Sequence, residues 1–263
     1  MEPSKIDDRV GGATRTRYDD AERQHWDRLE SLVADAGLGV RDVVKDYPAF
    51  LRRRELPRLL AHYELFKLIR DLPGCVAELG VFRGSGMFTW GNLLETFCPG
   101  DRNRKVFGFD HFDGYTNYQS DDGAAEPWVE RVLGRMKSPR ELAQGLVELH
   151  NDDNLLPGVE RVRLIDGDIA ETVPAFAQEH LGMRLSLLYF DIGLYEPTKV
   201  GLEHLYPLVV PGGVVAFNGY GMPPWQGEAK AIEEFFAERG MPKIEKFPFS
   251  TVPNAYFVKG ATP

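Results

Sequence analysis

Apolar residues follow two alternating spacings along most of the chain. Short runs that are almost entirely apolar predict buried strands, and longer segments with apolar residues three or four apart predict helices that pack on a sheet. Because strands and helices alternate, the pattern predicts an α/β fold with a doubly wound, mostly parallel sheet, whose ligands bind at the carboxyl ends of the strands. The predicted strands are 75–81, 105–110, 161–166, 185–191 and 213–218, and the predicted helices between them are 86–97, 127–150, 171–180, 196–209 and 226–239.

The C-terminal segment departs from this alternation. Residues 243–249 and 255–259 both have the composition of strands, and the segment 250–254 between them leaves no room for a crossover helix. Two strands joined in this way must pair as an antiparallel hairpin. The sequence therefore predicts a seven-stranded sheet that is mostly parallel and ends in an antiparallel hairpin.

The first 72 residues are organised differently. Residues 1–20 are rich in Gly, Arg and Asp with almost no apolar spacing, which indicates a disordered or strap-like arm. Residues 21–72 contain predicted helices, and the last of them carries an apolar stripe from Leu56 to Leu72. These N-terminal helices are candidates for a lid or a dimer surface, with plain helical packing as the alternative. The sheet domain then spans residues 73–263.

Composition narrows the class of function. The 263 residues carry a formal net charge of -9 at pH 7, which argues against a surface built for nucleic-acid phosphates. No apolar run approaches the roughly 20 residues that span a bilayer, and the N-terminus is polar. The two cysteines, Cys75 and Cys98, lack metal-ligand spacing and predict buried free thiols. We therefore expect a cytoplasmic protein without a nucleic-acid or membrane partner.

A glycine-rich turn follows the first predicted strand. Gly80, Gly84 and Gly86 lie between this strand and the next helix, where a tight turn lets a nucleotide-like ligand approach free backbone amides. Glu78 lies inside the strand, so it needs a ligand hydroxyl, an ammonium group or backbone amides as a partner. The dinucleotide fingerprint G-x-G-x-x-G fails in both registers, because Phe82 stands two residues after Gly80 and Thr89 stands three residues after Gly86. A nicotinamide-dependent oxidoreductase is therefore disfavoured.

Polar residues stand at the ends of the other predicted strands. Asp110, Asp166, Asp191 and Asn218 each end a strand. Because the carboxyl ends of parallel strands lie at one edge of a sheet, we expect these residues to lie near a shared ligand site.

Several motifs together resemble a known family. Residues 78–81 read Glu-Leu-Gly-Val, residues 108–114 read Gly-Phe-Asp-His-Phe-Asp-Gly, residues 195–198 read Tyr-Glu-Pro-Thr, and Pro211-Gly-Gly213 leads to Tyr220-Gly221. In this order they resemble the macrocin O-methyltransferase family of class I S-adenosylmethionine-dependent methyltransferases, over about residues 56–260. The resemblance implies methyl transfer to a small molecule, mostly to hydroxyl groups on sugars of natural products.

The resemblance also implies a set of cofactor-binding residues. Glu78-x-Gly80-x-x-x-Gly84-x-Gly86, with Ser85, resembles the first cofactor motif. Asp110 then corresponds to the carboxylate that binds the ribose hydroxyls, with a cap on the following turn as the alternative. Asp168 corresponds to the acidic residue near the adenine, with a solvated turn as the alternative. Asp191 lies beside this cofactor pocket.

The family typically holds a divalent cation, and here the sequence departs from its pattern. Asp191 stands in the position of the aspartate after the fourth strand, but Gly193 stands where many members have a further aspartate. The Asp-Asp pair after the fifth strand is replaced by Asn218-Gly219. Because magnesium prefers several carboxylate oxygens, we expect no family metal. If a metal binds, Asp191 and Asn218 are its candidate ligands, with Glu196, Glu228 or the substrate supplying more.

The sequence defines the residues that bind and deprotonate the methyl acceptor less closely than it defines the cofactor site. The sulfonium methyl is already activated, so the protein must align the nucleophile and remove its proton late. Asp191 is the first candidate base, and His111 is the second, with a hydrogen-bonded loop histidine as the alternative. Candidate substrate contacts are Tyr115, Tyr195, Asn218, Tyr220 and Trp225.

The predicted function is S-adenosylmethionine-dependent methylation of a small-molecule acceptor. Methylation of oxygen is favoured, and methylation of nitrogen or a carboxyl group stays open. The alternative is a methyltransferase-like protein that binds the cofactor without methyl transfer or with other chemistry. A homodimer is the expected assembly.

Overall fold

The computed structural model describes residues 21–133 and 137–260. The predicted arm, residues 1–20, lies outside the described residues. In the described ranges no helix is both long enough and apolar enough to cross a membrane. The chain forms two compact units that divide between Leu56 and Pro57.

The described part of the first unit is helical. Residues 21–35 form α1, and α2 (Val40–Lys45) and α3 (Tyr47–Phe50) follow without a buried side chain. Polar contacts join its ends: Arg52 pairs with Glu22 at 2.8 Å and its guanidinium lies 5.6 Å from the ring centroid of Trp26. The predicted role as a lid or dimer surface stays a prediction.

The second unit contains the sheet, and the predicted α/β fold is confirmed. Six strands lie in the order β3-β2-β1-β4-β5-β6. All neighbouring strands are parallel except β5 and β6, which are antiparallel. The strands are β1 (Cys75–Leu79), β2 (Val106–Asp110), β3 (Val162–Asp166), β4 (Leu185–Phe190), β5 (Val209–Phe217) and β6 (Ala255–Val258). The helices are α4 (Leu56–Ile69), α5 (Ser85–Phe97), α6 (Ala125–Val132), α7 (Arg140–Asp152), α8 (Ile169–Glu179), α9 (Tyr195–Leu205) and α10 (Gln226–Phe236).

Two predicted elements differ in the structure. The predicted strand 243–249 contributes only one isolated antiparallel bridge, between Glu245 and Tyr256, so the described sheet has six strands rather than seven. Pro242 and Pro248 flank this bridge and lack the N–H that a continuing ladder needs. The predicted helix 127–150 is divided into α6 and α7, and Pro139 takes the N-cap position of α7. A proline there begins a helix but cannot continue a preceding one.

The core explains why α4 belongs with the sheet. One face of the sheet is covered by α8, α9 and α10, and the other face by α4 and α5. Leu65, Phe66 and Ile69 of α4 are fully buried against strand residues such as Val76. Residues 57–69 of α4 belong to the same compact unit as the sheet. The predicted division into N-terminal helices at 21–72 and a sheet domain at 73–263 stays a prediction.

Candidate active site

A cavity of about 210 Å³ opens at the carboxyl ends of the strands. It lies where the strand order reverses between β1 and β4, the position at which ligands bind in open α/β sheets. Six predicted site residues line it: Gly80, Asp110, His111, Tyr115, Asp168 and Asp191. The other predicted site residues are not part of its lining: Glu78, Gly84, Ser85, Gly86, Tyr195, Asn218, Tyr220 and Trp225.

Asp110 joins the loops after β1 and β2. Its Oδ2 accepts hydrogen bonds from the backbone N–H groups of Val81 and Phe82, each at 2.7 Å, and its Oδ1 accepts one from Phe112, also at 2.7 Å. Phe82 and Phe112 have φ angles of 52° and 64°, which are uncommon for bulky side chains. Three of the four lone-pair positions of the carboxylate are therefore occupied, and one on Oδ1 is free for a ligand hydroxyl.

Glu78 is bound by its own chain. The carboxylate is fully buried and accepts hydrogen bonds from the Met87 N–H at 3.1 Å and from the Trp90 indole at 2.6 Å. Burial, reinforced by the nearby charge of Asp191, raises the pKa of Glu78 to about 8. A Cβ on Gly86 would lie 2.7 Å from the carboxyl carbon of Glu78, which explains the glycine at that position. Glu78 thus fixes the first turn of α5.

Asp168 connects the loops after β2 and β3. Its side chain caps α8 by accepting from the Ala170 N–H at 2.9 Å, and it also accepts from the side-chain amide of Asn117 at 3.0 Å. Ser138 lines the same cavity, and its Oγ is buried without a hydrogen-bond partner among the described residues. A buried hydroxyl without a partner is costly, so this part of the wall suits a polar ligand atom.

Both ring nitrogens of His111 have partners. Nδ1 accepts a hydrogen bond from the Asp113 N–H at 3.0 Å, which requires this nitrogen to be unprotonated in the bonded form. Nε2 lies 3.3 Å from the hydroxyl of Thr116 and carries the proton in that tautomer. These contacts fit a hydrogen-bonded loop histidine, and the predicted role of His111 as a base stays a prediction.

Asp191 receives hydrogen bonds on both oxygens. Arg58 donates to Oδ2, and the side-chain amide of Asn218 donates to Oδ1. The charge of Asp191 raises the pKa of the Arg58 guanidinium further above its ordinary value. The base predicted from the sequence is therefore held as an ion pair on one side and by an amide on the other.

A buried relay stands behind Asn218. The Tyr189 hydroxyl donates to Asn218 Oδ1 at 2.7 Å, and His62 Nε2 lies 2.9 Å from that hydroxyl. Burial, together with the charge of Arg58, lowers the pKa of His62 well below its ordinary value, so the ring is neutral. Because Tyr189 already donates to Asn218, the Nε2–H of His62 must donate to Tyr189. Every donor in the relay thus points towards Asp191.

The sequence-based predictions missed Arg58 and His62. Both lie on α4, at positions that continue the buried stripe formed by Leu65, Phe66 and Ile69. Two polar residues in register with an apolar helix face were the available signal. Their partner could not be inferred from this spacing, because Asp191 is far away in the sequence.

The loops after β4 and β5 are joined by Glu228 of α10. Its carboxylate is fully buried and accepts from the N–H of Gly193 at 3.2 Å and from that of Gly219 at 2.7 Å. Burial raises the pKa of Glu228 to about 8. Trp225 packs over both glycines, since a Cβ on Gly193 would lie 2.6 Å from its Cδ2 and a Cβ on Gly219 would lie 2.6 Å from its Cβ.

Trp225 belongs to an aromatic cluster beside the cavity. Its ring stacks on Tyr115 with centroids 5.1 Å apart, and Trp128 meets it edge-on at 5.6 Å. Among the other predicted substrate contacts, Tyr195 donates its hydroxyl to Glu234 at 2.6 Å. Tyr220 packs against the core on the α8, α9 and α10 side. The predicted role of all five residues in substrate binding stays a prediction.

The donor set does not fit the divalent cation that the resemblance implies. Asp191 is a single carboxylate, and each of its oxygens keeps only one lone pair after accepting from Arg58 or Asn218. Asn218 presents its N–H to Asp191, and its oxygen is occupied by Tyr189. Within residues 21–133 and 137–260, no group of three or more His, Cys, Asp or Glu residues is placed to hold a metal ion.

Comparisons with known proteins identify the relatives of this chain. A family profile described as macrocin-O-methyltransferase (TylF) matches residues 39–248. A curated relative from Streptomyces olivaceus, 8-demethyl-8-(2,3-dimethoxy-alpha-L-rhamnosyl)-tetracenomycin-C 4'-O-methyltransferase, is 30% identical over 155 residues, or 58% of this chain and 55% of the relative. The demethyldecarbamoylnovobiocin O-methyltransferase of Streptomyces niveus is 29% identical over 170 residues, or 64% of this chain and 60% of the relative. The chain thus spans less than two thirds of either curated relative.

A solved structure is similar over a longer stretch. The crystal structure of CalS11, described as a calicheamicin methyltransferase, has a TM-score of 0.81 and 30% sequence identity. The similarity covers 92% of this chain and 93% of that chain. A second structure of CalS11 is described as that of a TDP-rhamnose 3'-O-methyltransferase. Nearly all of the chain therefore has the fold of a methyltransferase.

Proposed function

This chain belongs to the macrocin-O-methyltransferase family, and from that premise we propose that it transfers the methyl group of S-adenosylmethionine to a hydroxyl group of a small molecule. The observation that carries the proposal is the charge of the cavity at the reversal point of the sheet. The cavity is lined by four carboxylates, those of Asp110, Asp168, Asp191 and Glu196, and by the guanidinium of Arg58. S-adenosylmethionine carries a sulfonium, an ammonium and one carboxylate, so an acidic cavity favours its binding.

The cofactor residues follow from the cavity walls. Asp110 retains one free lone pair for a ribose hydroxyl, and Asp168 and Ser138 form a polar wall suited to the purine. Gly80 lets the backbone after β1 approach the backbone of Asp191 after β4, because a Cβ on Gly80 would lie 2.9 Å from the carbonyl carbon of Asp191. Gly84, Ser85 and Gly86 begin α5, whose amino end favours the cofactor carboxylate. The cofactor supplies an activated methyl group.

Asp191 is the proposed proton acceptor. The oxygen of the acceptor forms a bond to the methyl carbon while the carbon–sulfur bond breaks, and S-adenosylhomocysteine leaves as a neutral thioether. The hydroxyl proton passes to Asp191, which keeps one lone pair on each oxygen after binding Arg58 and Asn218. Because both partners fix the carboxylate, it is also positioned to align the hydroxyl.

A sugar hydroxyl on a natural product or an activated sugar is the proposed acceptor. The curated relatives are named for a rhamnosyl compound and for a novobiocin precursor, and CalS11 is named for TDP-rhamnose. The aromatic cluster of Tyr115, Trp128 and Trp225 supports this proposal, since aromatic rings pack on the apolar face of a deoxysugar.

Two measurements test the function. We expect S-adenosylhomocysteine, but not NADH, to raise the melting temperature and to bind with one-to-one stoichiometry in calorimetry. Radiolabelled S-adenosylmethionine should then label an acceptor in a panel of TDP-rhamnose, other TDP-deoxysugars and rhamnosylated aromatic compounds. Absence of S-adenosylhomocysteine binding would contradict the proposal. Binding without labelling across the panel would favour the alternative, a cofactor-binding protein with other chemistry.

A homodimer and a cytoplasmic location complete the proposed function. In the first unit, Leu32, Val40 and Val44 expose 57%, 82% and 63% of their surface, which suits burial against a second copy. Light scattering coupled to size exclusion should give twice the mass of one chain. A mass equal to one chain over the accessible concentration range would contradict the dimer.

A further inference from the structure

We propose that the guanidinium of Arg58, rather than a divalent metal ion, supplies the fixed positive charge beside Asp191 in this protein. This protein would then position its acceptor with hydrogen-bond donors of the protein, where the family pattern has a metal ion. The inference rests on the proposed function for the identity of the acceptor. Its test titrates a metal ion with and without S-adenosylhomocysteine and needs no acceptor.

Trp225 limits the space around Asp191. Gly193 and Gly219 stand where the family pattern has carboxylates, and Trp225 fills the volume beside both. A carboxylate at either position would need Trp225 to move. Because protein interiors are close-packed, two aspartates and this indole cannot share the same volume.

The hydrogen bonds at Asp191 run from side-chain donors to the carboxylate. A cation binds lone pairs, whereas Asp191 is surrounded by N–H donors from Arg58 and Asn218. Asn218 turns its N–H towards Asp191 and its oxygen towards the Tyr189 hydroxyl, which donates to it. Reversal of the amide would turn the Asn218 oxygen towards the Asp191 carboxylate and would require Tyr189 and His62 to reverse their hydrogen bonds as well.

Glu228 is a fully buried carboxylate near this site. Both of its oxygens accept backbone N–H groups, from Gly193 and Gly219. The carboxylate therefore holds the two loops and is not free to complete a metal site. Glu196, the remaining candidate, accepts from the side chain of Gln119 at 3.1 Å.

Arg58 has hydrogen-bond donors beyond the one that binds Asp191. One of its N–H groups binds Asp191, while its Nε is buried without a hydrogen-bond partner among the described residues. Arg58 also lines the cavity. A guanidinium offers five N–H donors in a fixed plane. Arg58 can therefore orient Asp191 through one N–H group and donate through its remaining terminal N–H groups to an oxygen of the acceptor, which are two tasks of a bound cation.

A titration with Mn²⁺, in which electron paramagnetic resonance measures the bound fraction of the ion, tests the proposal. In the presence of S-adenosylhomocysteine, and again without it, wild-type protein should bind no Mn²⁺ at concentrations up to about 1 mM. The double variant Arg58→Met/Asn218→Asp removes the guanidinium and adds a carboxylate. Its dissociation constant for Mn²⁺ should therefore lie at least about tenfold below 1 mM. The control Lys67→Met/Asn218→Asp removes a cation from the exposed face of α4 and should bind no Mn²⁺.

Each outcome decides the proposal. One-to-one Mn²⁺ binding by wild type at micromolar concentration, lost in Asp191→Asn, would overturn it. No gain in the double variant, with the fold intact by circular dichroism, would also overturn it. Arg58→Gln in place of Arg58→Met keeps hydrogen bonding without charge and gives the same comparison if the methionine variant does not fold. Because Mn²⁺ is also titrated without S-adenosylhomocysteine, a failure of the protein to bind the cofactor is distinguished from a failure of this proposal.

Discussion

The carboxylate of Asp110 accepts a 2.7 Å hydrogen bond from the backbone N–H of Phe82, so the end of β2 holds the loop that follows β1. A second bond to Val81 and a third to Phe112 extend this hold to both loops. The candidate ribose carboxylate therefore shapes the cavity before any ligand binds.

Asp110→Ala should destabilise the protein and weaken cofactor binding. Three backbone N–H groups lose their acceptor, so the free energy of unfolding should fall by about 2 kcal/mol. The affinity for S-adenosylhomocysteine should fall more than about tenfold, because the free lone pair is lost as well. Urea unfolding and calorimetry give the two values.

Asp113→Ala is the matched control for this prediction. Asp113 lies on the same loop, and its exposed carboxylate pairs with Lys137 at 3.4 Å. The expected change in stability is within about 0.5 kcal/mol. Equal effects of the two substitutions would contradict the assigned role of Asp110.

Gly86→Ala and Gly145→Ala should have opposite effects on stability. A Cβ on Gly86 meets the buried carboxyl of Glu78, so we expect a loss of about 1–3 kcal/mol from overpacking. Gly145 lies in α7 with no heavy atom within 4 Å of a Cβ, so alanine should stabilise it by about 0.5–1 kcal/mol. Thermal unfolding of both variants checks the pair, and stabilisation by Gly86→Ala would refute the packing around Glu78.

Glu228 should make stability depend on pH. Burial raises its pKa from 4.5 to about 8 in the folded protein, so between these values the folded state holds a proton that the unfolded state has lost. Stability therefore falls as pH rises through this window. Between about pH 5.5 and 7.5, wild type should lose roughly 1 kcal/mol per pH unit more than Glu228→Gln does.

Urea unfolding at several pH values measures that difference. Glu78 has the same raised pKa and keeps part of the slope in the variant. Glu233→Gln, an exposed change on the same helix, should retain the wild-type slope. Identical slopes in wild type and Glu228→Gln would show that Glu228 is ionised in the folded protein throughout this range.

Ser138→Ala should separate stability from cofactor binding. The Ser138 hydroxyl is buried without a partner among the described residues, so its removal should leave the free protein as stable as before or slightly more stable. The affinity for S-adenosylhomocysteine should fall about fivefold if this hydroxyl binds the cofactor. An unchanged dissociation constant would remove Ser138 from the proposed cofactor wall.

The fold was largely predictable because its signals are local. Strands such as 75–81 and 105–110 are short apolar runs, and period and length alone separate them from the helices. The predictions that failed involve proline. Pro248 prevents a ladder that the composition of 243–249 favours, and Pro139 begins a helix where periodicity alone suggested continuation.

The candidate site was predictable only in part. Residues at strand ends, such as Asp110 and Asp191, could be placed at one edge of the sheet from topology. The partners of these residues depend on packing between distant segments. Arg58 reaches Asp191 because α4 covers one face of the sheet, and the volume beside Gly193 is taken by Trp225 because α10 begins there. No spacing rule encodes such contacts.

The packing of Trp225 over Gly193 and Gly219 has a consequence for how this sequence can change. An aspartate introduced at either glycine meets the indole, and loss of the indole alone leaves a hole beside Tyr115. Each single step towards a carboxylate at these two glycines therefore passes through a less stable protein. Within this backbone, the arrangement around Asp191 is separated from a metal-binding one by a mutational barrier that only coordinated substitutions can cross.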